Sequence, residues 1–106
     1  MRTVFMRYPG GKPKAVTFSY DDGVPQDERL VGIFNKYGMK GTFNLNCDKM
    51  RSNNFTKEQI KEIFLSNGHE IAVHGAMHRA NGNIRSIEGI RDVLNCRLEL
   101  ARNHIR

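Results

Sequence analysis

Two adjacent carboxylates, Asp21 and Asp22, stand in the segment TFSYDDG, with Gly23 directly after them. The residues before them include β-branched and aromatic types, as in a buried strand, and two like charges at a strand end repel each other. Aspartate and glycine are also common in turns, and an aspartate can cap a following helix. The pair therefore indicates either an acidic turn or a site that holds a cation.

Two histidines four residues apart, His74 and His78, stand in the segment HGAMH. Imidazoles at this spacing lie on one side of a helical turn and can reach one ion, although the spacing alone often occurs by chance. Together with one aspartate they make a three-ligand set that leaves a position for water, as in hydrolytic metal sites. The second aspartate would lie beside that water and accept its proton, and a divalent ion would allow both carboxylates to stay ionised.

Three strand-like segments alternate with three helical patterns, and this order brings the two motifs together. The predicted strands are residues 15–20, 41–46 and 70–74, and each is short and bounded by turn residues. The alternation predicts an α/β fold with parallel strands covered by helices. Functional groups of such folds gather at the carboxyl ends of the strands, so one edge should carry the strand-end residues. These are Asp21, Asp22, Asn46 and His74.

Each helix is predicted from apolar residues at helical spacing. The first spans residues 26–38 and ends at Gly38, and the second spans residues 56–68, with a capping box between Thr56 and Gln59 and a terminal Gly68. The third begins near Ser86. The apolar face of the first helix is Leu30, Ile33, Phe34 and Tyr37, and that of the third is Ile87, Ile90, Leu94, Leu98, Ala101 and Ile105.

Composition argues against several other classes of protein. The 106 residues carry a formal net charge of +6, but the basic residues are scattered, without a run or interleaved aromatics, so a specific nucleic-acid site is not expected. No apolar run is long enough to span a membrane. The N-terminus shows no signal peptide, so a cytoplasmic location is expected on this sequence. Cys47 and Cys96 match no zinc motif, and we expect them to be reduced thiols.

The segments TFSYDDG and GHEIAVHGAMH resemble the first two motifs of the NodB-type polysaccharide deacetylases, carbohydrate esterase family 4. The resemblance covers residues 14 to about 100 and implies a distorted (β/α) barrel. Three βα units are too few to close a barrel, which needs roughly 200 residues or more. We therefore expect residues 1–13 to form an N-terminal extension and residues 14–106 to form a partial deacetylase domain, the first half of such a barrel.

The resemblance also implies roles for individual residues. Asp21 matches the family's catalytic base, and three residues match its ligands for a divalent metal, which is most often zinc, with cobalt, nickel or manganese as alternatives: Asp22, His74 and His78. Gly75 departs from the family pattern, which has Ser or Thr there, so a hydroxyl that would help to orient the ligands is missing. Asn46 is a candidate substrate contact or, by the turn preference of asparagine, a strand-end cap.

The function implied by the resemblance is metal-dependent removal of acetyl groups from N-acetylated sugars or polysaccharides. The family's later motifs, which include the histidine of the general acid, have no counterpart in these 106 residues. We therefore expect weak or no activity from this chain alone and leave open whether it is an enzyme. The alternative is a non-catalytic metal-binding or scaffold fragment. An open parallel sheet leaves apolar surface exposed, so we expect a homodimer or other self-association. Members of the family are often exported.

Overall fold

A single parallel sheet of three strands organises the molecule. The computed structural model describes residues 6–47 and 55–105. Strands β1 (Ser19–Asp21), β2 (Thr42–Leu45) and β3 (Glu70–Val73) pair in the order β1-β2-β3, and both pairings are parallel. The predicted α/β fold with parallel strands is confirmed. Since the strands run in the same direction, their carboxyl ends share one edge, which carries both sequence motifs.

Helices follow each strand, as predicted. Helix α1 (Gln26–Lys36) follows β1, and helix α3 (Ser86–Arg102) follows β3. The segment between β2 and β3 begins as helix α2 (Lys57–Gln59) and continues through a π-helical turn (Ile60–Phe64) and a 3-10 turn (Leu65–Asn67). Two further 3-10 turns are Pro9–Gly11 and Asn81–Asn83.

The predicted helix boundaries rest on caps that the structure contains. Gly38 has a φ of +66° directly after the end of α1, a conformation that glycine adopts without steric cost. Before α2, the Gln59 backbone N–H donates to the Thr56 hydroxyl, and the Thr56 backbone N–H donates to the Gln59 side chain. Gly68 ends the 3-10 turn with a φ of +74°. These three predictions are confirmed.

Strand β1 is shorter than the predicted segment, residues 15–20. Its ladder begins at Ser19, which lies opposite Thr42, the first residue of β2. Within the described parts of the chain, residues 15–18 pair with no neighbouring strand, and Val16 is 78% exposed. The apolar character of residues 15–18 therefore does not extend the strand, because β1 is an edge strand whose length is set by its partner.

The core lies on one face of the sheet, beneath the helices. Phe43 of β2 is fully buried and contacts the ring of Phe64 at a centroid distance of 4.7 Å. Val31 and Phe34 are the buried apolar residues of α1, whereas Ile33 and Tyr37 are exposed. The predicted apolar face of α1 was thus partly wrong. Helical spacing alone does not determine how the helix is rotated on the sheet, so Ile33 and Tyr37 were expected on the buried side.

Helix α3 packs on the sheet mainly with a face that the sequence pattern did not predict, although Ile105, which follows the helix, is buried as expected. Its buried residues are Asp92, Cys96 and Leu100. The predicted apolar residues Ile87, Ile90, Leu94 and Leu98 are between 50% and 54% exposed, and we call these four the outer face of α3. Positions two residues apart on a helix point about 200° from each other, so the buried and outer faces lie on opposite sides.

Cys47 and Cys96 form a disulfide, so the expectation of reduced thiols was wrong. The fold places Cys47, the second residue after β2, next to the buried face of α3, with the two Cα atoms 5.2 Å apart. The cysteines are 49 residues apart in sequence, and only the packing of α3 on the sheet brings them together. No helix in the described parts of the chain is long and apolar enough to cross a membrane.

Candidate metal centre

The acidic pair lies where β1 ends and the chain turns toward α1. Asp21 is the last residue of β1 and lies opposite Asn44 of β2. Its carboxylate Oδ1 accepts a hydrogen bond of 2.8 Å from the Asn44 side-chain amide. Asp22 has left the strand conformation, with a φ of +77°, and its backbone N–H donates to the Asn44 carbonyl. The backbone of both aspartates is therefore anchored to Asn44 of β2.

The two histidines lie on the loop that follows β3. The His74 backbone N–H donates to the Leu45 carbonyl at 3.1 Å, which continues the β2–β3 ladder by one residue. His78 has a φ of +51°. Asp22 and His78 are thus both non-glycine residues in the left-handed region, a conformation that costs on the order of 1 kcal/mol or more per residue. Such conformations cluster at functional sites in proteins.

One carboxylate oxygen and two imidazole nitrogens converge at this edge of the sheet. Asp22 Oδ1 lies 3.3 Å from His74 Nε2 and 2.9 Å from His78 Nε2. One possible ligand atom from each of these three residues lies within 4.8 Å of the other two. Ligands about 2.0–2.1 Å from a tetrahedral zinc ion are about 3.3 Å apart, so this spacing suits one small divalent cation.

A cation would also stabilise the Asp22 carboxylate. Its Oδ1 atom is out of contact with solvent and faces the Nε2 atoms of both imidazoles, without a well-aligned hydrogen bond to either. A buried carboxylate oxygen without a donor is costly unless a cation or a proton meets it. One oxygen and two nitrogens are a donor set that zinc accepts readily. The residues present therefore fit a divalent metal.

Asp21 lies beside this cluster and outside it. Its Oδ1 atom is 4.0 Å from His74 Nδ1, and its side chain is 59% exposed. The structure thus places the two aspartates differently: Asp22 lies among the converging atoms, and Asp21 lies at the same edge with a largely exposed side chain.

Asn46, the candidate substrate contact, is buried. Its side-chain amide donates 2.7 Å to the His74 carbonyl and 3.3 Å to the Gly75 carbonyl. These contacts correspond to the alternative that the sequence left open, a cap at the strand end. The amide connects the end of β2 to the histidine loop.

Two buried acidic residues near the motifs, Asp27 and Asp92, were not among the predicted site residues. Burial raises the pKa of Asp27 above its ordinary value, the Val24 backbone N–H opposes this shift, and the charge of Asp22 adds to it. Asp27 Oδ2 is buried and has no hydrogen-bond partner. Asp92 lies on the buried face of α3, and its contacts with the histidine loop are described below. Neither belongs to a recognisable motif, so the sequence carried no signal for them.

His69 is separate from the site. It lies before β3, at the opposite edge of the sheet, and is 3% exposed. Its Nδ1 accepts from the Gly41 backbone N–H at 3.2 Å, so the proton is on Nε2, which lies 3.0 Å from Asn35 Oδ1. Burial lowers the pKa of His69, with the charge of Lys40 as a smaller cause. This histidine is a structural residue of the core.

Comparison with known proteins places the chain in a family. A family profile described as "Polysaccharide deacetylase" matches residues 8–104, which is nearly the whole sequence. The chain therefore belongs to the polysaccharide deacetylase family. A sequence search of curated proteins finds no match.

A solved structure has the same fold over most of this chain. It is described as the structure of peptidoglycan deacetylase PdaC from Bacillus subtilis, and the two superpose with a TM-score of 0.69 at 16% sequence identity. The match covers 85% of this chain and 44% of that one. The chain thus spans less than half the length of the relative that it matches, and the likeness concerns the fold.

Proposed function

We propose that this chain carries the metal-binding half of a deacetylase that hydrolyses the acetamide bond of N-acetylated sugars or polysaccharides. The observation that carries the proposal is the convergence of Asp22 Oδ1, His74 Nε2 and His78 Nε2, with Asp21 at the same edge of the sheet. Family membership supports the reaction class.

Three residues would hold the metal, which the donor set favours as zinc: Asp22, His74 and His78. When bound there, a divalent ion supplies Lewis acidity to the acetyl carbonyl and to water. Asp21 accepts the proton of the attacking water, since its exposed carboxylate lies next to the ligands without being one of them. Asn44 orients Asp21 by donating to its Oδ1 atom. Asn46 holds the histidine loop by its two amide contacts.

We propose that this chain alone turns over substrate slowly or not at all. The chain spans 44% of the matched peptidoglycan deacetylase chain, and the general acid implied by the family resemblance has no match in the sequence. A missing general acid typically lowers a rate by a factor of about a hundred to ten thousand.

Elemental analysis of the purified chain after incubation with zinc and dialysis tests the metal site. We expect close to one zinc per chain, lost in Asp22→Ala and His74→Ala. His104→Ala is the matched control, because His104 is an exposed histidine that follows α3. Absence of zinc in the unmodified chain after reconstitution would contradict the proposal.

Acetate release from oligomers of N-acetylglucosamine then tests the reaction. Asp21→Asn should keep its zinc and lose any release that the unmodified chain shows, because the amide cannot accept the proton. Loss of zinc in this variant would instead make Asp21 a ligand and contradict its assignment as the base.

The alternative, a non-catalytic fragment that self-associates, is favoured by one observation, the outer face of α3. Four large apolar side chains there are about half exposed, and such a contiguous patch usually meets another protein surface. We propose that two copies of the chain associate through it. Sedimentation velocity should show a dimer or larger species, and a monomer at all concentrations would contradict this.

The cellular location is also a proposal. A cytoplasmic location was expected from the sequence, but the Cys47–Cys96 disulfide favours an oxidising compartment, because cytosolic thiols are usually kept reduced. We propose that the protein acts outside the cytoplasm. Free-thiol titration of protein isolated from its native cells, with alkylation at lysis, tests this: two free thiols per chain would contradict it.

A further inference from the structure

The loop between the two histidines has no regular secondary structure, yet backbone hydrogen bonds fix it on both sides. On the side of β2, the Asn46 amide donates to the carbonyls of His74 and Gly75. The Cys47 backbone N–H donates to the Gly75 carbonyl at 3.4 Å. The carbonyl groups at the start of the loop are therefore held by the end of β2.

On the other side, a single residue of α3 receives the backbone N–H groups that follow. The Ala76 N–H donates to the Asp92 carbonyl at 3.1 Å, and the Met77 N–H donates to Asp92 Oδ1 at 2.9 Å. Asp92 is 6% exposed, so its carboxylate is buried against the loop. A hydrogen bond from a buried backbone N–H to a carboxylate is stronger than a neutral one.

Gly75 makes this arrangement possible. Its φ is +81°, and a Cβ atom at this position would overlap Asp92 Oδ2. The carboxylate thus bonds Met77 with one oxygen and lies against the Cα of Gly75 with the other. A serine or threonine at position 75, as in the family pattern, would meet both a strained backbone and this oxygen.

The disulfide fixes the position from which Asp92 acts. Cys96 lies one helical turn after Asp92 on the same buried face of α3, and it is bonded to Cys47, which directly follows Asn46. The two groups that hold the histidine loop, the Asn46 amide and the Asp92 carboxylate, are therefore tied to each other by a covalent link.

We infer that Asp92 is a positioning residue of the metal site: it sets the loop that separates His74 from His78, and it requires glycine at position 75. This inference rests on the proposed metal site. In this chain the carboxylate from α3 orients the loop that would otherwise rely on a hydroxyl between the two histidines. Partners that orient ligands typically change metal affinity by about 10- to 100-fold when they are removed.

Zinc affinity of the full chain, measured by competition with a chromophoric chelator, tests the inference. We expect Asp92→Ala to raise the Kd by about tenfold or more and to alter the visible absorption of the cobalt-loaded site. Asp92→Asn should recover most of the affinity, because its side-chain oxygen can still accept from the Met77 N–H. Leu100→Ala is the matched control: it removes a buried side chain of the same helix without touching the loop.

Gly75→Ala tests the same contact from the other side and does not depend on the folding of Asp92→Ala. It should also weaken zinc binding by about tenfold, whereas Gly38→Ala should not change it. Gly38 has a φ of +66° but open space around it, so it controls for backbone strain alone.

The outcomes separate the two proposals. If the unmodified chain binds no zinc, the metal site and this inference both fail. If it binds zinc tightly and Asp92→Ala or Gly75→Ala binds equally tightly, the inference alone is overturned. An equal loss in Leu100→Ala and Asp92→Ala would also overturn it, because the effect would then come from general destabilisation of α3.

Discussion

Two regions of the molecule differ in how many of their groups find partners within this chain. One is the edge of the sheet that carries the histidines, and the other is the outer face of α3. At the edge, three backbone N–H groups and two carbonyl groups between His74 and Met77 are hydrogen-bonded to the end of β2 or to Asp92. On the outer face, four apolar side chains are about half exposed. Hydrogen bonds over short distances can complete a ligand site within a few elements, whereas an apolar helix face needs a second surface of similar size.

The largest expected effect is that of His78→Ala, which should affect the histidine edge and leave the outer face of α3 unchanged. His78→Ala should abolish stoichiometric zinc binding, because it removes one of three ligand atoms. It should leave self-association unchanged, because the loop contacts α3 at Asp92, on the side of the helix opposite to the outer face. Elemental analysis and sedimentation velocity on the same preparation check both. A change in oligomeric state on removal of His78 would show that the two regions are coupled.

Reduction of the Cys47–Cys96 disulfide tests how much this bridge between the end of β2 and helix α3 stabilises the fold. The bridge closes a loop of 49 residues, so its reduction should lower the free energy of unfolding by about 2–4 kcal/mol. Urea denaturation with and without a reductant measures this difference, and the double variant Cys47→Ala/Cys96→Ala is the control, which should no longer respond to the reductant. Equal midpoints for both forms of the unmodified chain would contradict a stabilising bridge.

Leu94→Lys changes the outer face alone. A charge in the centre of the patch should shift the chain to a monomer, while stability stays within about 0.5 kcal/mol, as is usual for an exposed position. Sedimentation velocity and zinc content are the measurements. Asn95→Lys is the control, because it adds the same charge at an exposed position of the helix about 100° away from Leu94. Persistent association of Leu94→Lys would exclude the outer face as the interface.

The smallest expected effect concerns the opposite edge of the sheet. The pKa of His69 is lowered by burial, so the unfolded chain takes up a proton at a higher pH than the folded chain does. Stability should therefore be full above about pH 6.5 and decrease as the pH falls below that value. Urea denaturation at pH 7.5 and 5.5, in the presence of a chelator, should show a smaller decrease for His69→Gln. An identical decrease in both proteins would assign the pH dependence elsewhere.

The sequence predicts the order of strands and helices and the convergence of the two motifs, because both depend on local patterns. Thr56, Gln59 and Gly68 mark helix ends by their own chemistry, and the alternation of strands and helices places the carboxyl ends on one edge. Asp22, His74 and His78 come together for that reason.

The sequence does not predict how the helices are rotated on the sheet. Helix α3 carries two possible faces, and its longer apolar stripe is the one that faces outward. The contact of Asp92 with the loop and the Cys47–Cys96 bridge both depend on that rotation. The π-helical turn at residues 60–64 is likewise a result of packing that no residue type marks.

The left-handed backbone of Asp22 and His78 has a consequence for attempts to stabilise this protein. Selection for thermal stability alone should favour glycine or asparagine at both positions, because either residue relieves the strained conformation more readily than the native one. Glycine would remove a ligand atom from the cluster, and asparagine would replace the carboxylate or the imidazole by a neutral amide, which is a weaker ligand. A library screened only for folding should therefore yield chains that are more stable and have lost the metal site. Retention of Asp22 and His78 would then indicate selection for metal binding.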